Sequence, residues 1–152
     1  MDQLDRLERD VVINAPIERV WELVKMPGWW IGEGDDEQHA GQHRYREGDY
    51  DVVEDPLHGR FPILTVALDP PGYAAFRWTF GADRELPTEA NSTLVEFRLT
   101  DAGGSTRLGV VESGFASLPL ADEERRRQYD GNVEGWAIEL AYARRAAEAV
   151  NA

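Results

Sequence analysis

Three histidines are the side chains of this sequence best suited to bind a metal ion. His39 and His43 are four residues apart and would share one face of a helix, and Asp35, Asp36 and His58 lie nearby in the chain. Such nitrogen and oxygen ligands suit a transition metal. The spacing is too loose to define a site, and the segment is polar and irregular. We therefore expect these side chains to be solvated, and we predict no metal site.

Charged residues inside predicted strands are the other candidates for chemistry. They are Arg77, Glu96, Arg98 and Glu112. One that faced inward could orient a ligand carboxylate or act as an acid or base. Because they alternate with apolar residues, most are expected to face water. With no Ser-His-Asp order, phosphate-binding glycine loop or paired carboxylate motif present, we predict no catalytic residue.

The composition excludes several classes of protein. The chain of 152 residues has no cysteine, which removes disulfides, thiolate nucleophiles and zinc-thiolate sites. Its 29 acidic and 16 basic residues give a formal net charge of -13, which would repel nucleic acid and anionic membrane surfaces. No apolar run approaches the roughly 20 residues needed to span a bilayer. We expect no nucleic-acid partner and no membrane span.

The length indicates one domain covering residues 1–152, because a chain of this size buries enough surface to form its own core. The segment from Met1 to Asp10 alternates charge with leucine and lacks the basic start and apolar stretch of a signal peptide. A cytoplasmic location is therefore predicted. No feature calls for a cofactor.

Alternating apolar residues and turn signals predict a meander of antiparallel strands. A first strand is expected over 7–14, and a polar hairpin between Gln42 and Asp55 turns at Gly48. The clearer strands follow at 59–68, 73–80, 92–100 and 105–113.

Apolar residues at intervals of three and four predict helices at both ends of this sheet. The first helix follows Pro16 and ends near Lys25, and a short helical turn or lid is expected over 29–34. A much longer helix follows Pro119, with Gly131 and Gly135 inside it. Close approach to the sheet, or a kink, would explain these glycines. Its apolar stripe is Tyr129, Val133, Trp136, Leu140, Ala143, Ala147 and Val150, and its polar side carries Glu134, Glu139, Arg144, Arg145 and Glu148.

Several motifs in this order resemble the START-like, or SRPBCC, superfamily, and within it homologues of the activator of the heat-shock-protein-ninety ATPase. The resemblance covers nearly the whole chain. Its motifs are Asn14 to Trp21 at the first strand-helix junction, Trp29 to Gly32, Pro70-Pro71-Gly72 with Phe76-Arg77-Trp78, Ser105 to Leu108, Glu112 to Phe115, and Gly135-Trp136 with Leu140. The segment His39 to His43 departs from the glycine pair usual in this family.

The resemblance implies an α+β helix-grip fold, as in the birch-pollen allergen. In it a curved antiparallel sheet of about six or seven strands wraps around the long C-terminal helix, and two short helices follow the first strand. The space between sheet and helix is often a cavity in this fold. The residues expected to line a ligand site there are Trp29, Trp30, Phe61, Phe76, Trp78, Phe80, Phe115, Tyr129, Trp136 and Leu140. Filling of the core by the same side chains is the competing interpretation.

The implied function is binding of a hydrophobic or amphipathic small molecule, such as a lipid, an aromatic compound or a polyketide-like metabolite. A protein-interaction module that activates a chaperone ATPase is an alternative, and its partner would be a chaperone or another protein. A cyclase- or hydratase-like enzyme using the same cavity is a further alternative. The protein is expected to be a monomer or a weak dimer.

Overall fold

The computed structural model describes residues 5–32, 34, 36–80 and 85–149. Seven strands account for most of the chain: β1 Arg6–Ile13, β2 His43–Glu47, β3 Tyr50–Asp55, β4 Gly59–Asp69, β5 Tyr73–Trp78, β6 Thr93–Asp101 and β7 Thr106–Ser113. The helices are α1 Ile17–Val24, α2 Asp36–Ala40 and α3 Asp122–Ala149, with a 3-10 turn at Phe115–Ser117. The predicted helix-grip fold class is confirmed.

All seven strands form one antiparallel sheet in the order β1-β7-β6-β5-β4-β3-β2. From β2 to β7 each strand pairs with its neighbour in sequence, and β1 closes the order by pairing with β7. Ile13 lies opposite Thr106 at one end of this last ladder, and Arg6 lies opposite Ser113 at the other. The N-terminal strand therefore packs beside the last strand before α3.

The second short helix lies later in the chain than expected. It spans Asp36–Ala40, whereas the predicted turn at 29–34 forms no helix within its described residues. Gly28 and Gly32 have φ of 75° and 133°, outside the helical region. A Cβ on Gly28 would lie 2.8 Å from Val53 Cγ2, so this loop approaches β3 closely. The tryptophans between the two glycines are buried.

The core fills the space between the sheet and α3. Trp136 packs with its ring centroid 5.7 Å from that of Phe97 on β6 and 6.5 Å from that of Trp29. Phe76 and Phe97 are fully buried, and a side chain of this size stabilises the fold by about 1.5–3 kcal/mol when buried. The predicted inward stripe of α3 is buried or half-buried from Tyr129 to Ala147, and Val150 lies outside the described residues.

Two carboxylates expected to face water are buried. Glu112 on β7 is 0% exposed and Glu139 on α3 is 6% exposed. The prediction for each came from its place between apolar neighbours, which identifies alternate faces but not what covers each face. At Glu112 the charged face of the predicted pattern is the one that α3 covers.

The glycines of α3 are not explained by close packing. A Cβ at Gly131 or Gly135 would meet no atom within 4 Å, so the predicted close approach to the sheet is wrong. The helix continues through both positions from Asp122 to Ala149. The space beside these glycines is the cavity described below. Of the described helices, none is both long and apolar enough to cross a membrane.

Candidate ligand-binding site

A cavity of about 430 Å³ opens between α3 and the strand ends of β4 and β5. This volume lies in the range typical of small-molecule sites, roughly 300–1,000 Å³. Aromatic side chains make one part of its wall, and polar residues of α3 make another. The described residues that line it are Trp30, Ile31, Gly32, His58, Phe61, Trp78, Thr79, Phe80, Gln128, Gly131, Asn132, Gly135, Trp136 and Glu139.

The aromatic wall is a connected set of rings from four segments of the chain. Trp30 packs edge-on against Trp78 at 5.4 Å between centroids and lies 5.8 Å from Trp136. Trp78 in turn contacts Phe61 at 6.0 Å and Phe80 at 5.2 Å. Aromatic pairs at such separations stabilise each other by about 0.5–1.5 kcal/mol beyond their buried area. The wall is therefore held in place before any ligand arrives.

The helical wall is one face of α3. Its lining residues recur at intervals of three and four, which places them on the same side of the helix. The face combines two glycines with amide and carboxylate side chains: Gln128, Gly131, Asn132, Gly135 and Glu139. Because the glycines have no side chain, the helix leaves open space beside the indole of Trp136.

Behind the cavity wall lies the carboxylate of Glu112, which accepts four hydrogen bonds. The Nε1 group of Trp78 donates to Oε2 at 2.8 Å, and that of Trp136 donates to Oε1 at 2.8 Å. The Thr93 hydroxyl also donates to Oε2, and Asn132 Nδ2 donates to Oε1 at 2.9 Å. Three of these donors, all except Thr93, line the cavity.

The network joins the sheet to the helix. Trp78 belongs to β5 and Thr93 to β6, whereas Asn132 and Trp136 belong to α3. Gln128 extends the network along the helix, because its Nε2 donates to Asn132 Oδ1 at 2.9 Å. This bond directs the amide nitrogen of Asn132 toward Glu112. The carboxylate thereby fixes the orientation of two indoles on opposite sides of the cavity.

Burial raises the pKa of Glu112 above its ordinary value, although the hydrogen bonds from Thr93, Trp136, Trp78 and Asn132 each act to lower it. A carboxylate removed from water loses more solvation than its partners restore. Glu112 is thus the titratable group of the site most sensitive to its surroundings.

The rim beside His58 is held by a second buried carboxylate. Asp55 accepts hydrogen bonds from the backbone of His58 at 2.8 Å and Leu57 at 3.0 Å, and from the side chains of Gln38 and Gln42 at 2.8 Å each. Burial acts to raise its pKa, but these four hydrogen bonds outweigh burial and leave the pKa below the ordinary value. The turn between β3 and β4 is fixed in this way, and α2 is fastened to it.

The structure brings half of the predicted lining residues to the cavity. Trp30, Phe61, Trp78, Phe80 and Trp136 line it. Trp29, Phe76, Phe115 and Leu140 are buried elsewhere in the core. Tyr129 is half-buried and donates its hydroxyl to the carbonyl oxygen of Arg6 at 2.9 Å. A binding role for any of the ten stays a prediction.

The polar residues of the helical wall were not among the predicted lining residues. Gln128, Asn132 and Glu139 follow the helical spacing of the glycines, and that spacing was a signal in the sequence that could have identified them. Glu112 gave no such signal, because its burial depends on the helix that covers it.

The histidines do not meet in a metal cluster. His39 lies on α2 and stacks its ring on Tyr142 at 4.0 Å, and His43 lies on β2 next to Tyr45. Across residues 5–32, 34, 36–80 and 85–149 no group of three or more histidine or acidic side chains is placed to hold a metal ion. Asp35 of the weighed set lies outside these residues.

No known family model matches the sequence, and no curated protein matches it significantly. Solved structures do match. Protein MLL2253 from Mesorhizobium loti is 17% identical with a TM-score of 0.65 over 92% of this chain and 94% of its own. The Aha1 dimer from Colwellia psychrerythraea is 12% identical with a TM-score of 0.63 over 94% and 96%.

DynU16, a protein of the dynemicin biosynthetic locus, is 22% identical with a TM-score of 0.63 over 95% of this chain. The match covers 47% of DynU16, so this chain spans about half the length of that protein. At these identities the similarity shows the fold. The resemblance to START-like proteins is confirmed at that level.

Proposed function

We propose that this chain, which has the START-like fold, binds a hydrophobic or amphipathic small molecule between its sheet and α3. The observation that carries the proposal is a cavity of about 430 Å³ lined by five aromatic residues and by polar side chains of one helix face. Apolar walls with a few placed polar groups are typical of small-molecule sites. DynU16, which shares the fold, belongs to a biosynthetic locus.

The cavity is maintained at a cost in stability, which supports a binding role. Each helix glycine costs about 1 kcal/mol relative to alanine, and an alanine Cβ would fit at both positions without contact. A helix selected only for packing would carry larger residues there. Glu112 adds a second cost, because burying a carboxylate is unfavourable even when it is hydrogen-bonded.

A thermal-shift screen of the purified protein tests the proposal. Fatty acids, sterols, flavonoids and polyketides would be titrated, since a ligand that binds only the folded state raises the melting temperature. We expect a dose-dependent rise for at least one class. The variant Gly135→Leu, which directs a side chain into the cavity, should abolish that rise.

The matched control is Ala137→Leu, which adds the same side chain at an exposed position of α3 outside the cavity lining. It should keep the ligand-induced rise. A rise that survives in Gly135→Leu would place the ligand elsewhere. If no ligand class changed the melting temperature, the cavity would not be a binding site for these compounds.

An enzyme of the cyclase or hydratase kind is the second candidate, favoured by the buried Glu112 with its raised pKa. Its two oxygens already accept four hydrogen bonds from the protein, and it does not belong to the cavity lining. Binding therefore explains the geometry better. Mass spectrometry of a bound ligand after incubation tests this candidate: a hydratase would add one water across a double bond, and unchanged ligand would exclude it.

The chaperone-activating function implied by the sequence resemblance stays a prediction. The Aha1 dimer shares the fold, but at 12% identity this likeness carries no partner over to the present chain. Stimulation of the host chaperone ATPase by the purified protein is the direct measurement.

A further inference from the structure

The charges around the cavity have one sign. Of the fourteen described residues that line it, none is lysine or arginine. Glu139 is the acidic member, and the other ionisable member is His58, which is exposed. Glu112 lies directly behind the wall, within 2.8 Å of the indole nitrogens of Trp78 and Trp136. A bound ligand would therefore meet carboxylates and no lysine or arginine among these residues.

Glu139 is placed to meet a ligand in a dry environment. It is 6% exposed, and on α3 it follows Gly135 by four residues and Trp136 by three, so it lies over the open space that the glycine leaves. A carboxylate in such surroundings interacts more strongly with an opposite charge than it would in water. It also repels a second carboxylate more strongly.

The aromatic wall adds to the same preference. The rings of Trp30, Trp78 and Trp136 surround one side of the cavity, with centroids 5.4 Å and 5.8 Å from that of Trp30. Indole is the best of the side-chain rings at attracting a cation through its negative face. Amide oxygens of the helical wall are available acceptors, whereas the Asn132 amide nitrogen is already bonded to Glu112.

We propose that the cavity selects organic cations, namely aryl amines whose ammonium group lies beside Glu139 while the aromatic body packs on the three indoles. This inference rests on the proposed function and names its ligand class. A fatty acid or other carboxylate of equal size is disfavoured, because its charge would be buried beside Glu139 with no lysine or arginine in the described lining to pair with it. Charge selection, not size alone, distinguishes the ligands.

Three probes of nearly equal shape test the proposal: 2-(1-naphthyl)ethylamine, 2-(1-naphthyl)ethanol and 1-naphthylacetate. Dissociation constants would be measured by calorimetry at neutral pH. We expect the amine to bind about tenfold more tightly than the alcohol, and the carboxylate to bind most weakly. In Glu139→Gln the preference for the amine over the alcohol should disappear while the alcohol keeps its affinity.

Glu134→Gln is the matched control, because it removes the same charge from an exposed position of α3 outside the cavity lining. It should keep the amine preference. Binding of the alcohol with equal or tighter binding of the carboxylate would overturn the cation proposal and leave the proposed function intact. If no probe bound, and no class in the thermal-shift screen did either, both would be overturned.

Discussion

At the scale of single residues, Glu112 has the largest influence on the site. One buried carboxylate orients two indoles and one amide of the cavity wall, and it also binds Thr93 behind that wall. Such a group stabilises its donors only while all of them are satisfied. Its replacement should therefore disturb both the free energy of unfolding and the shape of the cavity.

Replacement of Glu112 by glutamine should lower the free energy of unfolding by about 1–3 kcal/mol. In either orientation the new amide nitrogen faces an indole N–H, that of Trp78 or that of Trp136, and two donors cannot pair. Urea unfolding at 25 °C measures the loss. Glu89→Gln, at an exposed loop position, should change stability little.

The double variant Glu112→Gln with Trp78→Phe identifies the cause. Phenylalanine removes the conflicting N–H, and the Thr93 hydroxyl can then accept from the glutamine amide. The cost of Glu112→Gln should accordingly be smaller in the Trp78→Phe background than in the natural chain. Strict additivity of the two variants would show that the hydrogen bonds are not the source of the destabilisation.

Glu112 also predicts a dependence of stability on pH. Because burial raises its pKa in the folded protein, the folded state keeps its proton at pH values where the unfolded carboxyl, with an ordinary pKa of 4.5, has lost it. The contribution of Glu112 to stability is therefore fully present below about pH 4.5 and is lost as pH rises through the folded pKa.

The stability difference between the natural chain and Glu112→Gln should become less favourable to the natural chain as pH rises from about 4.5 to about 7.5. Urea titrations at several pH values measure this difference, in which other titrating groups cancel. Asp55 acts in the opposite direction, since its lowered pKa stabilises the fold above its ordinary value of 3.8. A difference that is constant with pH would contradict the raised pKa.

At the scale of elements, α3 combines packing on one stripe with an open face beside it. Trp136, Leu140 and Ala143 are buried against the sheet, whereas the neighbouring Gly131 and Gly135 leave space. Both conditions are met within one continuous helix from Asp122 to Ala149. Glycine thus has a different role here from its role in the turn at Gly28, where backbone geometry requires it.

Gly135→Ala should raise the free energy of unfolding by about 0.5–1 kcal/mol, because alanine favours the helix and its Cβ meets no atom within 4 Å. Gly28→Ala should destabilise the protein, since φ is 75° there and the Cβ would lie 2.8 Å from Val53 Cγ2. Thermal or urea unfolding of the two variants measures both signs. Equal effects of one sign would show that the surroundings of the glycines do not determine their role.

At the scale of the whole molecule, charge opposes folding. The net charge of -13 is concentrated in a chain of 152 residues, and like charges repel more strongly in the compact state. The described ion pairs are mostly between exposed side chains, such as Arg46 with Asp51 and Arg144 with Glu148, and pairs of this kind contribute little.

Added salt should therefore stabilise the protein. We expect the urea midpoint to rise when sodium chloride is increased from about 20 mM to about 500 mM, because screening weakens the repulsion more than it weakens the exposed pairs. Equilibrium unfolding at several salt concentrations measures the midpoint. A lower midpoint at high salt would show that the ion pairs outweigh the net repulsion.

The residue sequence by itself determined the order of the strands along the chain, the hairpin at Gly48, α1 and the long C-terminal helix. It also determined that Val95, Phe97 and Leu99 share the buried face of β6. These features follow from local spacing, turn residues and alternation, which act over a few neighbours in the chain. The resemblance of its motifs to START-like proteins added the fold class.

Only the tertiary structure decided which residues surround the cavity. Trp78 and Trp136 are separated by 57 intervening residues, yet both donate to Glu112, which lies between them in sequence. Alternation placed Glu112 on a different face from its apolar neighbours, but it could not show that α3 covers that face. Burial of Glu112 and Glu139, and the open space at Gly131 and Gly135, depend on how the helix crosses the sheet, because solvent exclusion is a property of both surfaces together.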